Sequence, residues 1–213
     1  MREYARTRVN LEARGCIVRA NILVIAATAL AADLEGSLSR PTVLSRLSSL
    51  RRLNVVRDVP AWHPALRSPV RLRQAVKRHL ADSSLAVAAL GTDPSALLRD
   101  VKTLGLLFES HALRDLGVFA EAMDGTLGHY SDYDGREADA VVSLADGRWG
   151  LFEVKLGHGQ VDAAAGTLCE IEQVMVAAGE RPPSVKCVLI GFGQPAHLRP
   201  DGVYVAPIDV LEP

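Results

Sequence analysis

Residues 135–157 read GREADAVVSLADGRWGLFEVKLG, two runs of alternating apolar and charged residues separated by the turn-forming stretch ADGR. Side chains alternate across a strand, so Glu137, Asp139 and Val141 share one face, and Leu151, Glu153 and Lys155 share one face of the next strand. The turn decides whether those faces coincide. A two-residue loop of Asp146 and Gly147 would pair Ala145 with Arg148, set Asp139 against Val154 and send the acids to opposite sides. A three-residue loop of Ala145, Asp146 and Gly147, with the glycine in the left-handed position of a bulge, pairs Leu144 with Arg148. Asp139 then lies opposite Glu153, and Glu137 opposite Lys155. This register also sets Ala138 by Val154 and Ala140 by Phe152, an apolar back face, and is the expected one.

Cross-strand neighbours lie about 5 Å apart, close enough for two carboxylates to repel unless a cation lies between them. An aspartate, a glutamate and a backbone carbonyl suit Mg²⁺ or Mn²⁺, hard ions that keep several waters. Such an ion polarises a phosphoryl oxygen and acidifies water, and Lys155 would orient that water or steady charge building on a phosphate. A strand glutamate two residues before a lysine is, taken alone, ordinarily a solvated edge pair. The company of Asp139 is what raises it to a candidate site.

Outward from this hairpin, residues 104–123 carry apolar side chains at Leu104, Leu107, Phe108, Leu113, Leu116 and Phe119, the spacing of an amphipathic helix. Glu109 interrupts its apolar side, and a carboxylate there is costly unless something positive meets it. A first strand is expected in TLGHYSD, a helix over about 161–178, a buried strand in VKCVLIGF and a short last strand in GVYVAPI. Gln173 on that later helix is an ordinary surface position or a contact to DNA or to a metal-bound water. The six histidines show no metal-ligand spacing, and the three cysteines, odd in number and with no C-x-x-C, indicate neither a disulfide framework nor a zinc site.

The net charge of −1 conceals a split. Residues 1–79 hold fifteen Lys and Arg against five Asp and Glu, whereas residues 80–213 hold nine against twenty. A basic first portion points to a polyanionic partner or to attraction between the two portions. Residues 1–20 form an arm without clear periodicity. Ile22 to Leu34 and Thr42 to Leu53 read as helices, and NVVRDVPAW as a strand, the order of a winged-helix-like unit over residues 21–80. Arg46, Arg51, Arg52, Arg71, Arg73, Lys77 and Arg78 are its candidate DNA-binding residues, with Arg67 alongside. HLADSSLAVAALGTDP gives a short helix broken at Gly91 and Pro94. The apolar stretch ANILVIAATALAAD after Arg14 and Arg19 reads as a buried helix or as a secretory signal core. It falls short of the roughly 18 apolar residues of a membrane span, so no membrane partner is expected, and the cysteine pattern points to a cytoplasmic location.

At Asp139, Glu153 and Lys155 the chain resembles the PD-(D/E)XK nuclease superfamily, whose metal site uses an aspartate on one strand and Glu-x-Lys on the next. More narrowly, LGLLFESHALRDL, GREADAVV and GLFEVKLG resemble the C-terminal domain of unknown function 4143 of prokaryotic AAA-type ATPases, with PAWHPALRS and KRHLADSSLAVAAL fitting the stretch before it. The likeness runs from about residue 28 to the C-terminus. It implies an α/β fold with a restriction-endonuclease-like core over residues 81–213: a helix, a three-strand antiparallel meander, a helix and a strand. It also implies Glu109, Asp139, Glu153 and Lys155 as catalytic residues, the three acids as ligands of Mg²⁺ or Mn²⁺, and DNA and an AAA-type ATPase as partners. Ala138 replaces the superfamily's proline, and no G-x-x-x-x-G-K-[ST] occurs, so ATP hydrolysis by that route is not expected. The resulting expectation is a metal-dependent deoxyribonuclease, with a non-catalytic DNA-binding or regulatory module as the alternative. Cutting a duplex ordinarily takes two active sites, which is compatible with a homodimer.

Overall fold

The computed structural model describes residues 40–64, 76–193 and 195–211, and within them the chain is mixed α/β. It divides into two compact units, one of residues 1–58 and 75–111, the other of residues 59–74 and 112–213. The division falls elsewhere than the expected boundary at residue 80. The reason is a strand pairing: β1 (Val56–Val59) and β2 (Lys77–Leu80) form a two-stranded sheet, which ties the chain after residue 75 back to the first unit.

In the first unit, α1 (Arg40–Arg52) occupies the span its apolar periodicity predicts. The second helix of the basic segment is thus present, while the first, Ile22 to Leu34, lies outside the described residues. Helix α2 (Ser83–Leu90) starts at Asp82, whose carboxylate accepts from the Ser84 amide at 2.8 Å, and stops at Gly91 in the left-handed conformation. Helix α3 (Pro94–Arg99), not anticipated from the sequence, is capped by Asp93 with proline in its first turn. Helix α4 (Val101–Ala122), of which residues 101–111 belong to this unit and 112–122 to the second, is the long amphipathic helix expected over residues 104–123. Val56, Leu80, Ala86 and Leu107 make a small buried cluster here, flanked by Leu50 and Val87.

The second unit is built on a six-stranded mixed sheet. Its strands are β3 (Gly125–Ser131), β4 (Glu137–Leu144), β5 (Trp149–Lys155), β6 (Val185–Ile190), β7 (His197–Leu198) and β8 (Tyr204–Pro207), in the spatial order β3-β4-β5-β6-β8-β7. β3, β4 and β5 form the expected antiparallel meander. β5 then pairs parallel with β6, which demands a crossover, and α5 (Val161–Ala177) supplies it. Val161, Ala164, Ala165, Leu168, Ile171 and Met175 of α5 share one buried cluster with Val141, Leu151, Val188, Ile190 and Val205 of the sheet. Leu168 and Ile171 are fully enclosed, and each such side chain contributes about 1.5–3 kcal/mol. Strand β7 is two residues long and was not expected.

The hairpin turn is the three-residue form. Gly147 has φ +85°, the Gly147 amide donates to Leu144 O at 3.1 Å, and the Leu144 amide to Arg148 O at 2.8 Å. Ala140 pairs with Phe152 and Ser143 with Trp149, the register that the apolar back face predicts. At the far side of the meander β3 bulges at His129, which turns to meet the incoming chain. The His129 amide donates to Pro60 O at 2.9 Å and the Trp62 amide to His129 O at 2.7 Å, and Trp62 stacks on Trp149 with centroids 4.8 Å apart.

Gly128 is the close-approach residue of this seam: a Cβ there would lie 2.8 Å from Trp62 Cβ and 3.1 Å from Pro60 O. Gly128→Ala should therefore cost about 1–3 kcal/mol, as overpacking does. Urea unfolding and hydrogen exchange at the Trp62 amide measure it. Unchanged stability with unchanged protection would contradict this packing.

Candidate functional site

The hairpin register carries Asp139 and Glu153 one step beyond the last paired residues, Ala140 and Phe152. At that step the ladder is replaced by a side chain: Asp139 Oδ2 accepts the Val154 amide of β5 at 2.9 Å. Lys155 returns along the same face, donating to Glu153 Oε2 and lying 3.4 Å from Asp139 Oδ2. Three charged groups from two neighbouring strands thus meet on the face that α5 covers.

Glu153 is 6% exposed. Burial, together with the Asp139 charge beside it, pushes its carboxyl up to about 8, against the pull of Lys155. Burial alone would lower the Lys155 ammonium, but the Asp139 and Glu153 carboxylates outweigh it and hold it above the ordinary lysine range. One lysine does not compensate two carboxylates at this depth.

Glu153 and Lys155 open into a cavity of about 410 Å³, whose wall includes Glu137, Gln160, Ala164 and Thr167. Gly159 and Gln160 precede α5, so the helix starts at the cavity with its amide-rich, positive end. Among the described residues no group of three or more His, Cys, Asp or Glu could hold a metal ion. A cation bound by Asp139 and Glu153 would have to displace Lys155 from them and complete its shell with carbonyl oxygen and water, the habit of Mg²⁺.

The other expected residues fall as follows. Glu109 belongs to the first unit, where it is half-buried on α4. Gln173 is exposed on α5 and does not line the cavity. Gln160 does, and it could have been found from GHGQ, a glycine-rich step between a strand and a helix. Arg46 is carried on α1, and Arg71, Arg73 and Arg67 lie outside the described residues. Arg51 pairs with Asp58 at 2.6 Å, Arg78 lies 3.7 Å from the same carboxylate, and Arg52 is exposed. Lys77 is 3% exposed, because β2 draws it into the two-stranded sheet, and this leaves it little surface to offer a phosphate.

Residues 10–96 match the family model of a domain of unknown function, DUF8612, a match that covers less than half of the chain and ends before the strands of the site. No curated protein and no solved structure matches the chain. Among the described residues no helix is long and apolar enough to cross a membrane.

Because the Glu153 carboxyl is raised in the fold from an ordinary 4.5 to about 8, the folded chain binds more protons than the unfolded chain between those values. Its stability should fall as pH rises through that window; the cost is absent below about 4.5 and complete above about 8. Glu153→Gln removes this component, so urea unfolding across the window should show wild type losing on the order of a few kcal/mol relative to the variant. Parallel pH profiles for the two proteins would refute the buried, uncompensated carboxylate.

Proposed function

We propose that the second unit is a divalent-cation-dependent phosphodiesterase of the PD-(D/E)XK type, with a restriction-endonuclease-like core, and that it acts on DNA. The observation that carries this reading is the convergence of Asp139, Glu153 and Lys155, from two strands in the acid-facing register, beside a cavity at a helix start. Mg²⁺ or Mn²⁺ held by Asp139 and Glu153 would supply Lewis acidity toward a phosphoryl oxygen. The chain does the rest. Asp139, pinned by the Val154 amide, and Glu153, buried and held by Lys155, fix the donor positions without reorganisation. Lys155 keeps its proton and offers positive charge to a phosphate, aided by the first turn of α5.

The basic first portion would hold the duplex through its arginines, Arg51, Arg52 and Arg78 among the described ones, in a winged-helix-like arrangement. The resemblance to domains joined to AAA-type ATPases makes such an ATPase a proposed partner, and cutting both strands would call for a homodimer. A second reading is favoured by one contact: Lys155 bridges both carboxylates, which is also how a structural ion pair would look. On that reading the unit is a non-catalytic DNA-binding or regulatory module.

Purified protein with supercoiled, linear and branched DNA and Mn²⁺ should show cleavage that a chelator stops. Asp139→Asn and Lys155→Ala should each reduce the rate at least about 100-fold, the scale of losing one charge-stabilising group. Equal cleavage by variants and wild type would reject the assigned site, and binding without cleavage would establish the regulatory reading.

A further inference from the structure

Two aromatic rings stand in solvent at the end of the sheet where the acids converge. Tyr133 is 86% exposed and Phe192 is 61% exposed. Their positions follow from topology. Ser131, at the end of β3, pairs with Glu137, at the start of β4, so the connection bearing Tyr133 lies at the end of the sheet where Asp139 sits. Lys155 pairs in parallel with Ile190, so the connection bearing Phe192 leaves from the same end. In the order β3-β4-β5-β6, the two loops flank the strands that carry Asp139, Glu153 and Lys155.

Neither ring hangs on slack chain. Around Tyr133, Asp132 Oδ1 accepts the amides of Asp134 and Arg136, each at 3.0 Å. The Arg136 guanidinium binds Asp132 Oδ2 at 2.7 Å and Asp134 Oδ2 at 2.5 Å, which also offsets the two acids beside the tyrosine. Beside Phe192, the Gly191 amide donates to Lys155 O and Leu156 O at 3.3 and 3.2 Å. The Phe192 ring lies over Gly157, where an added Cβ would sit 3.4 Å from it. An apolar ring carried on a hydrogen-bonded backbone spares a partner that covers it the cost of ordering the main chain.

We infer that Tyr133 and Phe192 are stacking platforms for unpaired bases on either side of the phosphate at the cavity, so that the substrate class is single-stranded or strand-separated nucleic acid. This rests on the phosphodiesterase reading. In a duplex the faces of the bases are occupied by their neighbours, and only an unpaired strand offers them to exposed rings. Aromatic groups set on either side of a cationic side chain that can meet a phosphate, here Lys155, form the arrangement that tracks a single strand.

The test is binding in EDTA, where no cleavage intervenes, of an oligonucleotide containing 2-aminopurine, as a single strand and as a duplex, to the full chain. Stacking should quench the 2-aminopurine in the single strand. Phe192→Ala and Tyr133→Ala should each weaken single-strand binding about tenfold and relieve the quenching, leaving duplex binding unchanged. Phe192→Trp should restore both. Both positions are exposed, and matching circular dichroism melts establish that the variants fold. Equal losses on single strand and duplex, no loss on either, or no single-strand binding by wild type would overturn the inference. A change in sedimentation of the variants without a change in single-strand binding would overturn it in favour of a protein contact. Cleavage with Mn²⁺ is scored separately: its absence rejects the phosphodiesterase reading, and ring-dependent quenching persisting alongside would leave a strand-binding site.

Discussion

The turn at Gly147 is the constraint on which the second unit depends. A residue at φ +85° is inexpensive only for glycine, and placing it third in the loop pairs Leu144 with Arg148. Every later pair inherits that choice. Because side chains alternate with period two, a slip of one residue would turn Asp139 and Glu153 to opposite faces and expose part of the cluster formed by Val141, Leu151 and α5. The burial of the core and the convergence of the charges are thus two outcomes of one register, and the apolar side enforces the polar one. The strong contacts of α5 with β5 and β6 stabilise an arrangement in which a carboxylate is held at 6% exposure.

The position of the charges relative to the layers follows from where the apolar stripe ends. Along β5 the helix-facing positions run Trp149, Leu151, Glu153, Lys155, from fully apolar to fully charged. The helix opposite begins near the charged end, with Val161 and Ala164 in its first turns. Small residues there leave the cavity open where larger ones would fill it. The site lies at the margin of the core, where side chains are fixed by packing yet still reached by solvent. That combination suits a group whose ionisation must be both perturbed and accessible.

Local signals made most of this unit legible. Asp146 and Gly147 announce the turn, the alternation in residues 137–144 and 149–155 announces the strands, and the apolar spacing of residues 161–178 announces the helix. What escaped is what depends on distant pairing. Lys77 to Leu80, KRHL, looks like a solvated basic run; it becomes a strand because Val56–Val59, some twenty residues earlier, offers it an edge. Strand β7, at two residues, is too short to carry a period. Gln160 was passed over because it reaches the cavity by standing at a helix start rather than through its residue type.

The bond from the Val154 amide to Asp139 has a bearing on how such a protein changes over time. Asp139 finishes the edge between two strands as well as lending an oxygen to the charged cluster, so its loss would unfasten the sheet whatever became of the chemistry. If the proposed hydrolysis holds, a lineage that abandoned it would be held to its aspartate by architecture, while Lys155, whose side-chain hydrogen bonds among the described residues run to the two acids, would be released to drift. The lysine, not the acid, is the position at which a silent descendant of this fold would declare itself.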